Sequence, residues 1–210
     1  MSGWSVAMSA DGRIVAVGAP SYTIYGPGQV RVFRLSRGVW AQVGQDINGE
    51  FAGDRSGSSV AMAADGNTVA VGAPCNDDNG VDAGQVRVFK LSRGEWAQVG
   101  QNINGEAAGD KLGWSVAMSA DGRTVAVGAP GSRGNGENAG QVRVFRLSED
   151  VWAQVGQDIN GEAAGDKLGW SVAMSADGRI VAVGAPSYTI YGPGQVRVFR
   201  LSRGVWAQVG

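Results

Sequence analysis

The chain has 210 residues, with 18 lysines and arginines against 19 aspartates and glutamates, which gives a formal net charge of −1. This balance lacks the positive surface that nonspecific nucleic-acid binding requires, so we expect no nucleic-acid partner. Histidine is absent and there is one cysteine, which excludes a Cys/His zinc site, a histidine general base and an intrachain disulfide.

Glycine is the unusual component of the composition. It supplies 35 of the 210 residues, well above the ~7% of average proteins, and this excess indicates many tight turns. The longest apolar runs, such as residues 14–20, are much shorter than the roughly 18 residues that span a membrane. The amino terminus shows no basic-then-apolar pattern, so we expect no membrane insertion and no signal peptide in the given chain.

Four copies of one unit make up the chain. The segment Gly-Trp-Ser-Val-Ala-Met recurs four times, with Ser in place of Trp in the second copy, at residues 3–8, 57–62, 113–118 and 169–174. The first 42 residues of this array return letter for letter at its end, as residues 3–44 and 169–210. A fixed period of this kind predicts a repeat architecture within a single domain, residues 1–210. We place the four units at residues 2–47, 56–103, 112–159 and 168–210.

Turn signals divide each unit into four short strands. In the first unit the predicted strands cover residues 4–10, 13–19, 29–36 and 39–47. Asp11-Gly12 predicts a type I′ hairpin between the first two strands, and Arg37-Gly38 predicts a second short hairpin between the last two. Each unit is therefore predicted to be an antiparallel meander.

The second strand of each unit is apolar on both faces, as in Ile-Val-Ala-Val-Gly-Ala at residues 14–19. Such a strand fits between two neighbouring sheets rather than at a half-exposed surface. We therefore predict an all-β, β-propeller-type array of four antiparallel four-stranded blades. A linear β-solenoid is the alternative, although its repeats are usually shorter, at about 20 to 30 residues.

The third unit carries motifs of a known family. Leu-Gly-Trp-Ser-Val-Ala at residues 112–117 is followed by Asp121-Gly122 and by Val-Ala-Val-Gly-Ala-Pro at residues 125–130. Gly-Ala-Pro recurs in all four units, and Gln-Val-Arg-Val follows at residues 141–144. In these features the chain resembles FG-GAP repeat proteins, the blade type of the integrin alpha-chain propeller.

This resemblance implies adhesion-type recognition outside the cell or at the cell surface. Family propellers usually contain more than four blades, so four blades close alone, or the array is part of a larger propeller, or a homodimer completes the ring. Several family blades bind calcium between their first and second strands, where this chain has only a compact Ala-Asp-Gly turn. We therefore expect no cofactor, calcium being the one that the resemblance leaves open.

Sequence variation concentrates in the loops between second and third strands, which is typical of binding loops on a constant scaffold. By resemblance these loops lie on the ligand-recognition face. They supply the candidate ligand-binding residues Tyr22, Tyr25, Asp77, Asp78, Asn79, Arg133, Asn135, Glu137, Tyr188 and Tyr191. The alternative is neutral drift in solvated loops, with the tyrosines packing over their own blades.

Other candidate sites have a structural alternative. The acidic loop around Gly80 is similar to a calcium loop, but Cys75 stands where its first aspartate belongs. The oxygen donors between blades, such as Glu50 and Asp54, could hold a cation or cap loop amides. Cys75 lacks a neighbouring base, and nearly every acid recurs from blade to blade, so we expect no catalytic pair.

Repeated arginines and tryptophans complete the candidates. The third-strand arginines are expected to pair with carboxylates of adjacent blades, and the unit-ending tryptophans to anchor blades against each other; they are Arg31, Arg87, Arg143, Arg197, Trp40, Trp96, Trp152 and Trp206. The chain is thus predicted to be a non-enzymatic module that recognises a protein or glycan. A structural or designed scaffold without ligand is one alternative, and a multivalent lectin using Trp4, Trp114 and Trp170 is another.

Overall fold

The computed structural model describes residues 3–23, 25–186 and 194–210, and every regular element in these ranges is a β-strand. The strands form four antiparallel sheets in chain order, called blades 1 to 4 here. The first blade contains β1 (Ser5–Met8), β2 (Ile14–Ala19), β3 (Gln29–Ser36), β4 (Val39–Gln42) and the short β5 (Ile47–Asn48).

The remaining blades repeat this arrangement. Blade 2 contains β6 (Ser59–Met62), β7 (Thr68–Ala73), β8 (Gln85–Ser92), β9 (Glu95–Gln98) and β10 (Ile103–Asn104). Blade 3 contains β11 (Ser115–Met118), β12 (Thr124–Ala129), β13 (Gln141–Ser148), β14 (Val151–Gln154) and β15 (Ile159–Asn160). Blade 4 contains β16 (Ser171–Met174), β17 (Ile180–Ala185), β18 (Gln195–Ser202) and β19 (Val205–Gln208). The predicted propeller-type array of four antiparallel four-stranded blades is confirmed.

The first hairpin of each blade departs from the predicted type I′ turn. In blade 1 the amide of Gly12 donates to the carbonyl of Ser9 (3.0 Å), and Gly12 has a positive φ of 71° whereas Asp11 does not. A type I′ turn needs positive φ at both central residues, so this prediction was wrong. The Asp11 carboxylate instead accepts hydrogen bonds from Ser9 Oγ (2.7 Å) and the amide of Arg13 (3.0 Å), which closes a longer loop.

The second hairpin is the one with type I′ backbone. Arg37 and Gly38 have φ angles of 52° and 81°, and Glu149 and Asp150, without a glycine, have 49° and 62°. The predicted fourth strand, residues 39–47, is interrupted: β4 and β5 pair with opposite ends of β3. Gly44, with a φ of 72°, lies in the segment that separates them.

Blades stack with their inner strands side by side, so that β1, β6, β11 and β16 each contact the next. All residues of β7 and β12 are buried, as predicted for strands between two sheets. In the first and last blades burial alternates along β2 and β17 instead. One face of blade 1 and one face of blade 4 are therefore exposed.

The glycine of the Gly-Ala-Pro motif allows this close stacking. A Cβ added at Gly72 would meet the backbone carbonyl of Gly113 in the next blade, and Gly18 and Gly128 have equivalent contacts. Backbone atoms cannot move aside as a flexible side chain can. A glycine is therefore required wherever another blade follows.

Three of the four tryptophans predicted to anchor blades join consecutive blades, whereas Trp40 of blade 1 is 45% exposed. The indole Nε1 of Trp96 donates to the carbonyl of Val43 (2.8 Å), and its backbone amide donates to Gln45 Oε1 (3.0 Å). Trp152 and Trp206 make the same bonds to the blades before them.

Three arginines also pair across blades. The bridges are Arg87–Glu50 (3.5 Å), Arg143–Glu106 (3.2 Å) and Arg197–Glu162 (3.6 Å). Arg31 of blade 1 instead pairs with Asp46 of its own blade at 3.1 Å. The prediction of pairing with an adjacent blade thus holds for three of the four arginines.

Candidate functional site

The variable loops lie against the connections between blades. The amide of Gly53 in the first connection donates to the carbonyl of Gly26 (3.2 Å), and that of Ser56 donates to Pro27 (2.9 Å). In the next blade the amide of Gly109 donates to the carbonyl of Val81 (2.8 Å). Loops and connections therefore share one face of the array, as the resemblance implied.

A cleft of about 480 Å³ opens on this face between the loops of blades 1 and 2. It is called the loop cleft here, and its lining includes Tyr22, Phe51, Arg55, Asp77 and Asp78. The structure thus brings together three predicted candidates, one tyrosine and two aspartates, from loops more than 50 residues apart. Two aromatic rings, one arginine and four aspartates line this one space.

Tyr22 is held between an aromatic ring and a cation. Its ring centroid lies 5.2 Å from that of Trp4 in an edge arrangement, and the Arg55 guanidinium carbon lies 5.0 Å from the Tyr22 centroid. Burial raises the pKa of the Tyr22 hydroxyl, while the positive charge of Arg55 acts in the opposite direction. Edge-to-face and cation–π contacts of this kind orient the ring before a ligand arrives.

A second cleft, of about 410 Å³, lies beside the first and shares Tyr22 and Arg55 with it. It is called the aromatic cleft, and its other lining residues are Trp4, Ser58, Pro74, Trp114 and Trp170. Three tryptophans from three different blades therefore converge on one space. The lectin hypothesis gave each blade junction its own site, whereas the structure gathers these indoles into one.

The indoles of the aromatic cleft are held in place by their own contacts. Trp114 and Trp170 have ring centroids 4.7 Å apart, and Lys167 Nζ lies 5.7 Å from the Trp170 centroid. The amides of these tryptophans donate to the carbonyls of Lys111 (3.1 Å) and Lys167 (3.2 Å), which fixes the turn into each inner strand. At the equivalent place in blade 2 stands the small Ser58, which leaves the cleft open.

The acidic loop of blade 2 uses its polar groups to hold its own shape. Asp77 Oδ1 accepts from the amide of Asp82 (2.8 Å), and Asp78 Oδ2 accepts from Gln85 Nε2 (2.8 Å). The Asn79 side-chain amide donates to the carbonyl of Gly105 (2.9 Å). Asp77 and Asp78 still line the loop cleft, whereas Asn79 ties the loop to the blade connection.

The blade 3 candidates do not join Tyr22. Asn135 donates to the carbonyl of Gly161 (2.8 Å), the same bond that Asn79 makes one blade earlier. The backbone carbonyl of Glu137 accepts from Gly165 (2.9 Å). Arg133 lines a separate cleft of about 320 Å³ on this blade.

Three tyrosine candidates lie outside both clefts or outside the description. Tyr25 is almost fully exposed and lines neither cleft. Tyr188 and Tyr191 lie outside the described residues. Sequence reasoning placed the tryptophans Trp4, Trp114 and Trp170 only in an alternative hypothesis, and it missed Arg55. The sequence did contain a signal for these four residues, because each lies immediately before the first strand of its blade or in the turn that leads into it.

Burial shifts the pKa values of two titratable groups beside the loop cleft, the Cys75 thiol and the Asp54 carboxyl. Burial and the neighbouring Asp82 raise the pKa of the Cys75 thiol to about 11, so the thiol is protonated near neutral pH. Burial also raises the pKa of Asp54, against the effect of its hydrogen bonds from the amide of Phe51 (3.0 Å) and from Asn76 Nδ2 (3.2 Å). Asp54 therefore caps loop groups, as the structural alternative predicted.

The carboxylates considered as cation ligands accept hydrogen bonds from their own segments. Asp110 and Asp166 each accept amide hydrogen bonds within their own connections. The turn between first and second strands offers one aspartate, such as Asp121, which accepts from Ser119 Oγ (2.6 Å) and Arg123 N (2.9 Å). Calcium takes about six to eight oxygen ligands. Among the described residues, no three His, Cys, Asp or Glu side chains are grouped so as to hold a metal.

Comparison with known proteins identifies the repeat. Residues 49–89 and 104–145 match the family model described as FG-GAP repeat. A comparison with curated proteins gives no match. Within the described ranges, no helix is long and apolar enough to cross a membrane.

Solved structures share the fold at low identity. A putative 6-phosphogluconolactonase from Bacteroides uniformis aligns with a TM-score of 0.55 and 12% identity, over 99% of this chain and 70% of that chain. Another from Bacteroides fragilis aligns with a TM-score of 0.59 and 12% identity, over 97% of this chain and 52% of that one. At this identity the likeness concerns the fold alone.

Proposed function

Because the chain carries FG-GAP repeats on propeller-type blades, we propose that it is a non-enzymatic recognition module. It binds a protein or glycan through the face that carries the variable loops. The two adjoining clefts, joined by Tyr22 and Arg55, form the binding surface. By analogy with integrin-type propellers, the role is adhesive and belongs outside the cell or at its surface.

The aromatic cleft is the observation that carries this proposal. Tryptophan, tyrosine and arginine are the residues most enriched among those that dominate binding energies, because each combines a large surface with a polar group. Here three tryptophans, one tyrosine and one arginine line a single cleft at the solvent boundary. Their mutual ring contacts orient them in advance, which reduces the entropy lost on binding.

The surroundings of the clefts favour binding without catalysis. The Cys75 thiol has a raised pKa and therefore little thiolate. Asp77 accepts a hydrogen bond from the amide of Asp82 and Asp78 accepts one from Gln85 Nε2, so both carboxylates are already engaged by the protein. The titratable groups shape and charge the surface, and the aromatic rings supply its contact area.

The proposal is tested with two defined probe sets, an array of neutral and anionic oligosaccharides and a displayed library of folded protein domains. Binding to any hit is measured by biolayer interferometry for the wild type, Trp114→Ala and Trp170→Ala. Loss of a central aromatic contact costs about 2 kcal/mol or more, so the dissociation constant should rise at least about 30-fold. Tyr25→Ala is the control, because Tyr25 is an exposed aromatic of the same face that lines neither cleft.

Each outcome decides between the module and a ligand-free scaffold. A hit that weakens with both tryptophan variants and survives Tyr25→Ala supports the binding module. No hit in either set, or hits indifferent to the tryptophan variants, would refute recognition through this cleft. In the first of those cases the exact 42-residue copy, residues 3–44 and 169–210, favours the scaffold. Circular dichroism of every variant establishes that its fold is retained.

A further inference from the structure

The same contact between blades occurs three times in the structure. At the first, blade 1 presents a set that we call its back face, made of Ala7, Ile14, Ala16, Val30 and Val32, to which β5 adds Ile47. Blade 2 meets it with its front face, made of Val60, Met62, Val69, Val71, Phe89, Leu91 and Trp96. The next two junctions use the equivalent residues of later blades. Each internal junction thus joins one back face to one front face.

Blade 1 has a front face of identical composition that meets no other blade. It consists of Val6, Met8, Val15, Val17, Phe33, Leu35 and Trp40. Val6 is 67% exposed where its equivalent Val60 is 9% exposed, and Trp40 is 45% exposed where Trp96 is 5% exposed. An apolar face of this extent is atypical of a solvated surface and marks an interaction site.

Blade 4 has the complementary exposed face. Its back face consists of Ala173, Ile180, Ala182, Val196 and Val198, the same residue types as the back face of blade 1 apart from Ile47. Val196 is 72% exposed, whereas its equivalent Val30 is fully buried. The exposed surfaces at the two ends of the array therefore carry the same four-strand residues that meet at each of the three junctions inside it.

We propose that a second copy of this chain covers both faces. The back face of blade 4 in one copy packs on the front face of blade 1 in the other, and the reciprocal contact closes a ring of two chains. Each contact joins a back face to a front face, and the two contacts are identical. A twofold axis through the ring therefore relates the two chains. The ring would contain eight blades, within the range of about four to eight that propellers adopt.

The polar groups at the ends complete this match. Within the chain, Ser115 Oγ donates to the carbonyl of Gly169 (2.7 Å). The amide of Ala120 donates to the carbonyl of Ala176 (2.9 Å). The same pattern pairs Ser171 with Gly3 of the second copy. The indole of Trp40 then donates to the carbonyl of Val209, the position equivalent to the acceptor Val43. The new junction thus repeats hydrogen bonds as well as apolar contacts.

This inference does not depend on the proposed ligand, and it is tested by light scattering of the full chain over a range of concentrations. The expected mass is twice the 21.6 kDa of one chain. Val6→Glu on the front face and Val196→Glu on the back face should each raise the dissociation constant at least 10-fold and give single chains. Val39→Glu is the control, because this exposed position is naturally Glu95 in blade 2.

Mixing the two face variants tests the head-to-tail arrangement. Val6→Glu keeps an intact back face and Val196→Glu an intact front face, so the mixture should form a two-chain species that neither variant forms alone. A single-chain mass for the wild type, growth into open polymers, or a dimer that survives either face variant would overturn the proposal. If circular dichroism shows that Val6→Glu is unfolded, Met8→Lys at the neighbouring exposed position replaces it.

Discussion

Trp152 provides the sharpest test of how blades hold together. Its side chain is 3% exposed, and its Nε1 donates to the Val99 carbonyl at 2.8 Å. Trp152→Ala should cost about 3–5 kcal/mol, because it removes a large buried side chain and leaves a cavity. Trp152→Phe keeps most of the apolar area but leaves the Val99 carbonyl without its donor, so we expect a loss of about 1–3 kcal/mol. Trp40→Phe, on the exposed front face, should change stability by less than about 0.5 kcal/mol.

Urea unfolding followed by far-UV circular dichroism measures these differences, since tryptophan fluorescence itself changes with the variants. All three substitutions are compared in a Val6→Glu background, so that association between chains does not contribute. Repeat arrays can unfold in more than one step, and hydrogen exchange of the Val99 segment therefore supplies a local measurement. If Trp152→Phe costs no more than Trp40→Phe, the indole bonds between blades contribute nothing and the reasoning is refuted.

Three further predictions follow from the backbone contacts and titratable groups. Gly72→Ala should destabilise the protein by about 1–3 kcal/mol or more, because the new Cβ meets the Gly113 carbonyl. Gly184→Ala is the control, because its Cβ approaches the Ser171 side chain but no backbone atom closer than 3.8 Å, so it should cost much less in thermal unfolding of the single chain. The pKa of the Cys75 thiol is raised from 9.0 to about 11, so less thiolate is present near pH 8. Alkylation of Cys75 by iodoacetamide at that pH should therefore be about 100-fold slower than alkylation of a free thiol. Equal rates would contradict the buried environment. Removing calcium with a chelator should leave the melting temperature unchanged, and a large fall would show a metal site.

Local sequence signals determined most of the fold. The alternation of short apolar runs and glycine turns predicted four-stranded antiparallel blades, because a strand apolar on both faces needs a sheet on each side. The conformation of the turns was harder to predict from the sequence. Asp11-Gly12 has the composition of a type I′ turn, yet the Asp11 side chain hydrogen-bonds its own loop and keeps a negative φ. Side-chain bonds of this kind compete with the turn that the dipeptide alone would favour.

The candidate site was harder to predict because it depends on how blades are arranged. Trp4 and Trp170 stand 166 positions apart in the sequence, and only the stacking of four blades brings them to one cleft. Tyr22, Asp77 and Asp78 were predicted from loop variation and do share a cleft. Asn79 and Asn135 were chosen on the same ground, but each holds its loop to a blade connection. Variation alone does not separate contact residues from those that shape the loop.

The identical first and last blades show why their sequence is apolar on both sides. Residues 3–44 and 169–210 carry the same letters, yet β2 buries Ile14 and Ala16 whereas β17 buries Val181 and Val183. The same strand sequence thus buries one face at the start of the array and the opposite face at its end. A blade that never met a neighbour on its second side would gain no stability from apolar residues there and would increase the risk of aggregation. The two end blades therefore expose opposite apolar faces, and these are the faces that the proposed second copy covers with the contact that the internal junctions already use.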